Sequence, residues 1–194
     1  MTGPLQGIRI VEFSQIIAGP ISGVLLSDLG AEVIKVEPPD IGDPMRTWGP
    51  VKFKGRTLFW PILSRNKKCI TLDLRLSEGQ DLAKKLIEKA DMVVENFRPG
   101  TMEKWGLGYD DLKAVNPGII MIRVSGYGQS GPYKNRAGFG SAAGAMGGLR
   151  HLTGYPDRPP TRVGLSIEDS LASLQAVIGG MMALYHRDIH NGQG

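Results

Sequence analysis

Short β-branched runs alternate with longer amphipathic runs along this chain. Residues 8–13 (IRIVEF), 31–37 (AEVIKVE), 69–74 (CITLDL), 91–97 (DMVVENF) and 118–125 (GIIMIRVS) each read as a strand. Between the first two lies residues 18–30 (AGPISGVLLSDLG), a helix that tolerates Pro20 in its first turn and stops at Gly30. Residues 77–90 (SEGQDLAKKLIEKA) predict a second helix, with Ser77 as N-cap, Leu82, Leu86 and Ile87 on one apolar face, and lysines toward the end. Residues 166–188 carry a long helical period. Such alternation predicts a largely parallel sheet covered by helices, an α/β layout of the doubly wound kind. The Pro- and Gly-rich segment 38–57 predicts an ordered but irregular loop.

Composition narrows the function classes. The 194 residues are 41% hydrophobic and 22% charged, as in a globular protein with a sizeable core. No apolar run approaches the roughly 20 residues of a membrane span, and the first residues lack the pattern of a secretory signal. The net charge is +4, and the basic residues are scattered apart from residues 64–68 (SRNKK). Without an aromatic-interleaved basic stripe, neither nucleic acid nor a membrane is an expected partner. The single cysteine, Cys69, excludes an internal disulfide and fits a reducing compartment. Its expected place is a buried position in a strand. These features predict a cytoplasmic protein, with mitochondrial and peroxisomal locations left open.

Candidate chemistry is sparse. His151, His186 and His190 lack metal-ligand spacing, so no metal is expected. Residues 126–131 contain a literal G-x-G-x-x-G (Gly126, Gly128, Gly131) after a predicted strand. A dinucleotide fingerprint needs the last glycine to open a helix. Here Pro132 follows it, and no amphipathic run begins before about residue 140. Glu168 and Asp169 sit in the first turn of the last helix. Carboxylates there commonly stabilise the helix dipole, yet a carboxylate can also be a nucleophile toward an activated acyl group. Local pattern leaves both open.

Longer stretches taken together carry a resemblance. Residues 7–39, 42–50 (GDPMRTWGP), 65–74 (RNKKCITLDL), 93–100 (VVENFRPG), 126–139 (GYGQSGPYKNRAGF) and 163–188 are similar, in order, to the family III CoA-transferases, the CaiB/BaiF group. Members are about twice this length, so the chain resembles the N-terminal, Rossmann-like CoA-binding part, with linkers and a small domain expected beyond Gly194. The resemblance implies a transferase that moves coenzyme A from an acyl-CoA to a carboxylic acid through an aspartyl-CoA intermediate. Coenzyme A would be a substrate, with no permanently bound cofactor, and the full-length protein an interlocked homodimer.

By the same resemblance Asp169 is the nucleophile, and Glu168 would point to solvent or cap the helix. Ile17 and Ala18 would hold coenzyme A after the first strand. Leu72, Asp73, Leu74 and Arg75 would lie around the adenosine, and Asn96, Phe97 and Arg98 at a strand end. Lys104 stands where members often carry arginine. Pro38 stands where some place an arginine on the coenzyme, and Gln15 where some carry histidine. An α-methylacyl-CoA racemase of the same superfamily would need a histidine after R-A-G; this chain has Phe139 there. A non-catalytic CoA-binding piece is the reading from a different class.

Overall fold

The computed structural model describes residues 3–190 and 192–194. Along the chain run β1 (Arg9–Glu12), α1 (Ala18–Asp28), β2 (Glu32–Glu37), a 3-10 turn (Pro44–Arg46), β3 (Lys52–Phe53), β4 (Arg56–Thr57), α2 (Phe59–Leu63), β5 (Lys67–Thr71) and α3 (Ser77–Ile87). Then follow β6 (Met92–Glu95), α4 (Thr101–Lys104), α5 (Tyr109–Val115), β7 (Ile120–Arg123), α6 (Gly140–Met146), α7 (Leu149–Leu152) and α8 (Ile167–Ile189). Five strands form one sheet in the order β5-β2-β1-β6-β7, and every pair is parallel. The order reverses between β1 and β6, the place where open α/β sheets bind ligands beyond the strand ends. The expected doubly wound, Rossmann-like fold is the observed one.

Alternate residues of the strands serve two cores. Val11 and Val93 face one side, where Ala83 and Ile87 of α3, Met102 of α4 and Leu112 of α5 cover them. Ile10, Met92, Val94, Ile120 and Ile122 face the other side, under Leu26 of α1 and Leu184 of α8. Neighbours in a strand point to opposite faces, so both faces of a central strand need apolar residues, and β6 is buried throughout.

Three local expectations are corrected. Ser77 is the first residue of α3 and not its cap: Leu76 holds the cap position, and the Ser77 hydroxyl donates to Glu78 Oε2 at 3.0 Å. The buried face of α3 is Gly79, Ala83 and Ile87, with Leu86 packed against the same core, and of the expected apolar face only Leu82 is exposed. Gly79 is required there, because a Cβ would stand 2.1 Å from the Asp73 carbonyl oxygen. Cys69 is exposed rather than buried, because β5 is the sheet's edge strand with a neighbour on one side only. The 38–57 segment is ordered, as expected, but holds the 3-10 turn and the β3–β4 hairpin.

Candidate active site

α1 lies close to the C-terminal end of β1. A Cβ on Gly19 would come within 2.2 Å of Ser14 Cβ, and one on Gly23 within 1.9 Å of Glu12 Oε2. α8 then packs on α1. The buried Ser173 hydroxyl donates to the Ala18 carbonyl at 2.6 Å, and Ser22 Oγ donates to the Ser173 carbonyl at 3.4 Å. Ser173 is one turn beyond Asp169, and its Oγ lies equally close, 2.6 Å, to the Asp169 carbonyl oxygen, so one hydroxyl proton serves both carbonyls. Small residues on both helices thus bring the start of α8 beside the start of α1.

A cavity of about 390 Å³ opens there. Its wall takes Ile16, Ile17 and Ala18 after β1, Asn96, Phe97 and Arg98 after β6, and Val124, Ser125 and Gly126 after β7. Residues 134, 136–140 and 143 close one side, and Glu168, Asp169 and Ala172 of α8 another. A second cavity of about 410 Å³ is lined by Leu72, Asp73, Leu74 and Arg75, by residues 36–41, and by Phe13, Gln15, Phe97 and Trp105. Phe97 borders both. Its ring meets Trp105 edge-on at 5.1 Å, a T-shaped pair beside the second cavity.

The residues expected to meet coenzyme A therefore separate into two neighbouring groups. Ile17, Ala18, Asn96, Phe97 and Arg98 share the first cavity with Asp169. Leu72, Asp73, Leu74 and Arg75 line the second. Leu74 is buried in the core. The Arg75 guanidinium already grips Asp73 through Nε (2.8 Å) and Nη2 (2.7 Å), which holds the Asp73 carboxyl at about 2. Lys104 is exposed on α4 and lines neither cavity, although the next residue, Trp105, lines the second.

Glu168 does not turn away from the cleft. Both carboxylates line the first cavity and both reach the glycine face of α6. A Cβ on Gly140 would stand 3.0 Å from Asp169 Oδ2, and one on Gly144 2.0 Å from Glu168 Oε1. Burial, and then the Glu168 charge, push the Asp169 carboxyl above its ordinary range. Among the described residues, no ion pair joins Asp169 to Arg98, Lys134 or Arg136, the cations of the same wall.

The segment 134–143 was missing from the expected set. Its signal was the glycine-rich tract that begins at Gly138, which lets backbone approach backbone: a Cβ on Gly126 would lie 2.6 Å from Gly138 Cα. That approach explains Gly126. Gly128 and Gly131 adopt positive φ (78° and 86°) in turns, and no helix starts before Gly140. The glycine triplet shapes a loop and does not open a helix onto a pyrophosphate. No histidine lines the cavity among the described residues, and Phe139 does.

Residues 5–194 match the family described as CoA-transferase family III. The chain belongs to that family. A relative from Chloroflexus aurantiacus, named succinyl-CoA–D-citramalate CoA-transferase, is 61% identical over 191 residues, covering 98% of this chain and 47% of its own. The human succinyl-CoA:glutarate CoA-transferase is 39% identical, covering 98% of this chain and 43% of its own. Among solved structures, a CaiB/BaiF family protein from Brucella suis is 42% identical with a TM-score of 0.94, over 100% of this chain and 52% of that one. The chain thus spans about half the length of the curated relatives it matches. No described helix is long and apolar enough to cross a membrane.

Proposed function

We propose that the full-length protein is a CoA-transferase with Asp169 as its nucleophile. The observation that carries this reading is a half-buried aspartate at the first turn of α8, in a cavity at the sheet's switch point, beside a second cavity. Acyl-CoA would place its nucleotide end in the second cavity, toward Leu72–Arg75, and its thioester against Asp169. The Asp169 carboxylate attacks the thioester carbonyl, giving a mixed anhydride and the CoA thiolate. The thiolate then attacks the Asp169 carbonyl, releasing the donor acid and leaving an aspartyl-CoA thioester. An acceptor carboxylate displaces the thiolate to form a second anhydride, and the thiolate takes the acyl group from Asp169. Every step exchanges one activated acyl bond for another, which is the use of covalent catalysis here. Water has to be kept out, since it would hydrolyse the anhydrides.

The reading extends to succinyl-CoA as donor and a short dicarboxylate as acceptor, supported by the names of the relatives and by the cations Arg98, Lys134 and Arg136 in the wall. We also assign a homodimer to the full-length protein and a reducing compartment such as the cytoplasm. Phe139 cannot move a proton, which disfavours racemase chemistry. The test is full-length protein with succinyl-CoA and citramalate, malate or glutarate, followed by hydroxylamine trapping and peptide mapping. An adduct on Asp169, with transfer lost in Asp169→Ala and CoA binding kept, is the expected result. Label on Glu168, or full activity in Asp169→Ala, refutes the assignment.

A further inference from the structure

The turn that separates the two cavities is held in a costly conformation. Gln15 lines the second cavity and Ile16 the first. Ile16 has φ of 69°, the left-handed region, where a β-branched side chain is a true outlier. Such strain persists only where the surroundings over-determine it. Three anchors do so. Asn96 clamps Gln15 from both sides, accepting from its N–H at 2.8 Å and donating to its carbonyl at 2.7 Å. Lys35 Nζ donates to the Ser14 carbonyl at 2.7 Å. Asp43 Oδ1 accepts from the Ile16 N–H at 3.3 Å.

Asp43 belongs to a different part of the chain from the turn it holds. Its Oδ2 lies 2.9 Å from Lys35 Nζ, and its own N–H donates to Glu37 Oε2 at 2.8 Å. Arg46 fastens the same Glu37 through Nε (2.7 Å) and Nη2 (2.8 Å). The residues between Glu37 and Asp43 are wall of the second cavity: Pro38, Pro39, Asp40 and Ile41. They are tightly wound, with Asp40 at φ 68° and Gly42 at φ 62°. A ligand packed on this wall bears on the segment that carries Asp43, and Asp43 bears on Ile16.

We propose that Asp43 is a positioning residue that couples occupancy of the second cavity to the shape of the Asp169 chamber, by holding the Ile16 turn. The inference rests on the CoA-transferase reading for which ligand part sits where. It gives the nucleotide end of the coenzyme a task in the reaction: its binding energy organises a distant wall and is realised at the acyl group.

Two measurements on the full-length protein test it. In the first, adenosine 3′,5′-bisphosphate, which lacks the arm that would reach Asp169, is added to wild type and amide exchange is followed at residues 14–18. Slower exchange at Ile16 supports the coupling, and unchanged exchange overturns it. In the second, kcat is compared for succinyl-CoA and succinyl-pantetheine in wild type, Asp43→Asn and Asp43→Ala. A loss of rate on succinyl-CoA about tenfold or more greater than the loss on succinyl-pantetheine is the expected split, since remote binding energy shows in kcat. An equal loss on both substrates, as from a merely structural role, overturns it, and so does no loss. If neither variant folds, the exchange measurement decides alone. A wild type that transfers no CoA refutes the functional reading instead, and exchange at Ile16 still decides the coupling.

Discussion

Asp169 and Glu168 stand on consecutive residues of α8 and share one cavity, so the charge of one acts on the other. The nucleophile must be ionised, and burial together with Glu168 raises its carboxyl pKa. Transfer should therefore rise with pH along a limb above the ordinary aspartate value of about 3.9. Glu168→Gln removes the second cause, so the limb should move to lower pH while the maximum rate stays close to wild type. A pH–rate profile of both full-length proteins checks this; an unmoved limb would mean that burial alone sets it. Gly140 gives a second prediction. A Cβ there meets Asp169 Oδ2 at 3.0 Å, the far end of a side chain that can swing away. Gly140→Ala should leave the melting temperature nearly unchanged and cut kcat by about 10- to 100-fold, the effect of a displaced reacting group. At this scale the sequence carried part of the site. A carboxylate at a helix start was visible locally, and resemblance chose between the two. That both reach the cleft was not visible, because it depends on glycines of α6, a separate element, leaving room for them.

At the scale of elements, the alternation of strands and helices was written in hydrophobic period, and all five sheet strands were located by it. What period cannot show is which charges meet. Glu12, Lys35 and Lys67 lie on three strands, and Lys67 falls just before the stretch 69–74 that the sequence predicts as a strand. Parallel register sets Glu12 opposite Lys35, and Val33 opposite Lys67. Lys35 Nζ then lies 2.9 Å from Glu12 Oε1, and Lys67 Nζ 2.6 Å from Glu12 Oε2, with these side chains essentially buried. Burial acts to lower the Lys35 pKa, but Glu12 and Asp43 outweigh it and raise it. At Lys67 burial wins over Glu12, and the pKa falls. Gly23 of α1 exists to admit this carboxylate beneath the helix. Removing the shared partner leaves the buried Lys67 ammonium without a carboxylate and the Lys35 ammonium with Asp43 alone. Glu12→Ala should destabilise the protein by about 3–5 kcal/mol, the usual cost of breaking a buried pair from one side. Urea unfolding at pH 7 measures it, and a shift below about 1 kcal/mol, as for an exposed pair, would show the network to be dispensable.

Among the described residues, the outer side of α8 is a long exposed surface. α8 is 23 residues long, and its inward side, with Ser173, Gly180 and Leu184, is buried on α1 and β7. Gly180 permits that contact, since a Cβ there would stand 2.5 Å from Ile122 Cδ1. Leu171, Leu174, Ile178, Met182, Tyr185 and Ile189 form a second apolar stripe at spacings of three and four, and all are exposed. The period of a helix with two apolar stripes was legible as helix, but not as one packed face and one open face; only the sheet's position decides which is which. Stripes of this extent mark interaction surfaces. The chain covers about half of its relatives' length, and the proposed full-length protein is a homodimer, so the stripe is expected to be covered in the assembled enzyme. Each of these side chains would gain roughly 1 kcal/mol on completing its burial, a fraction of the ~1.5–3 kcal/mol for full burial. Two charges at its centre would cancel that gain and add the cost of desolvating them. Ile178→Glu combined with Met182→Glu in the full-length protein should therefore shift sedimentation from dimer to smaller species, and transfer should fall with it, since the same helix carries Asp169. A variant that stays dimeric and fully active would show that α8's outer stripe is not part of the assembly.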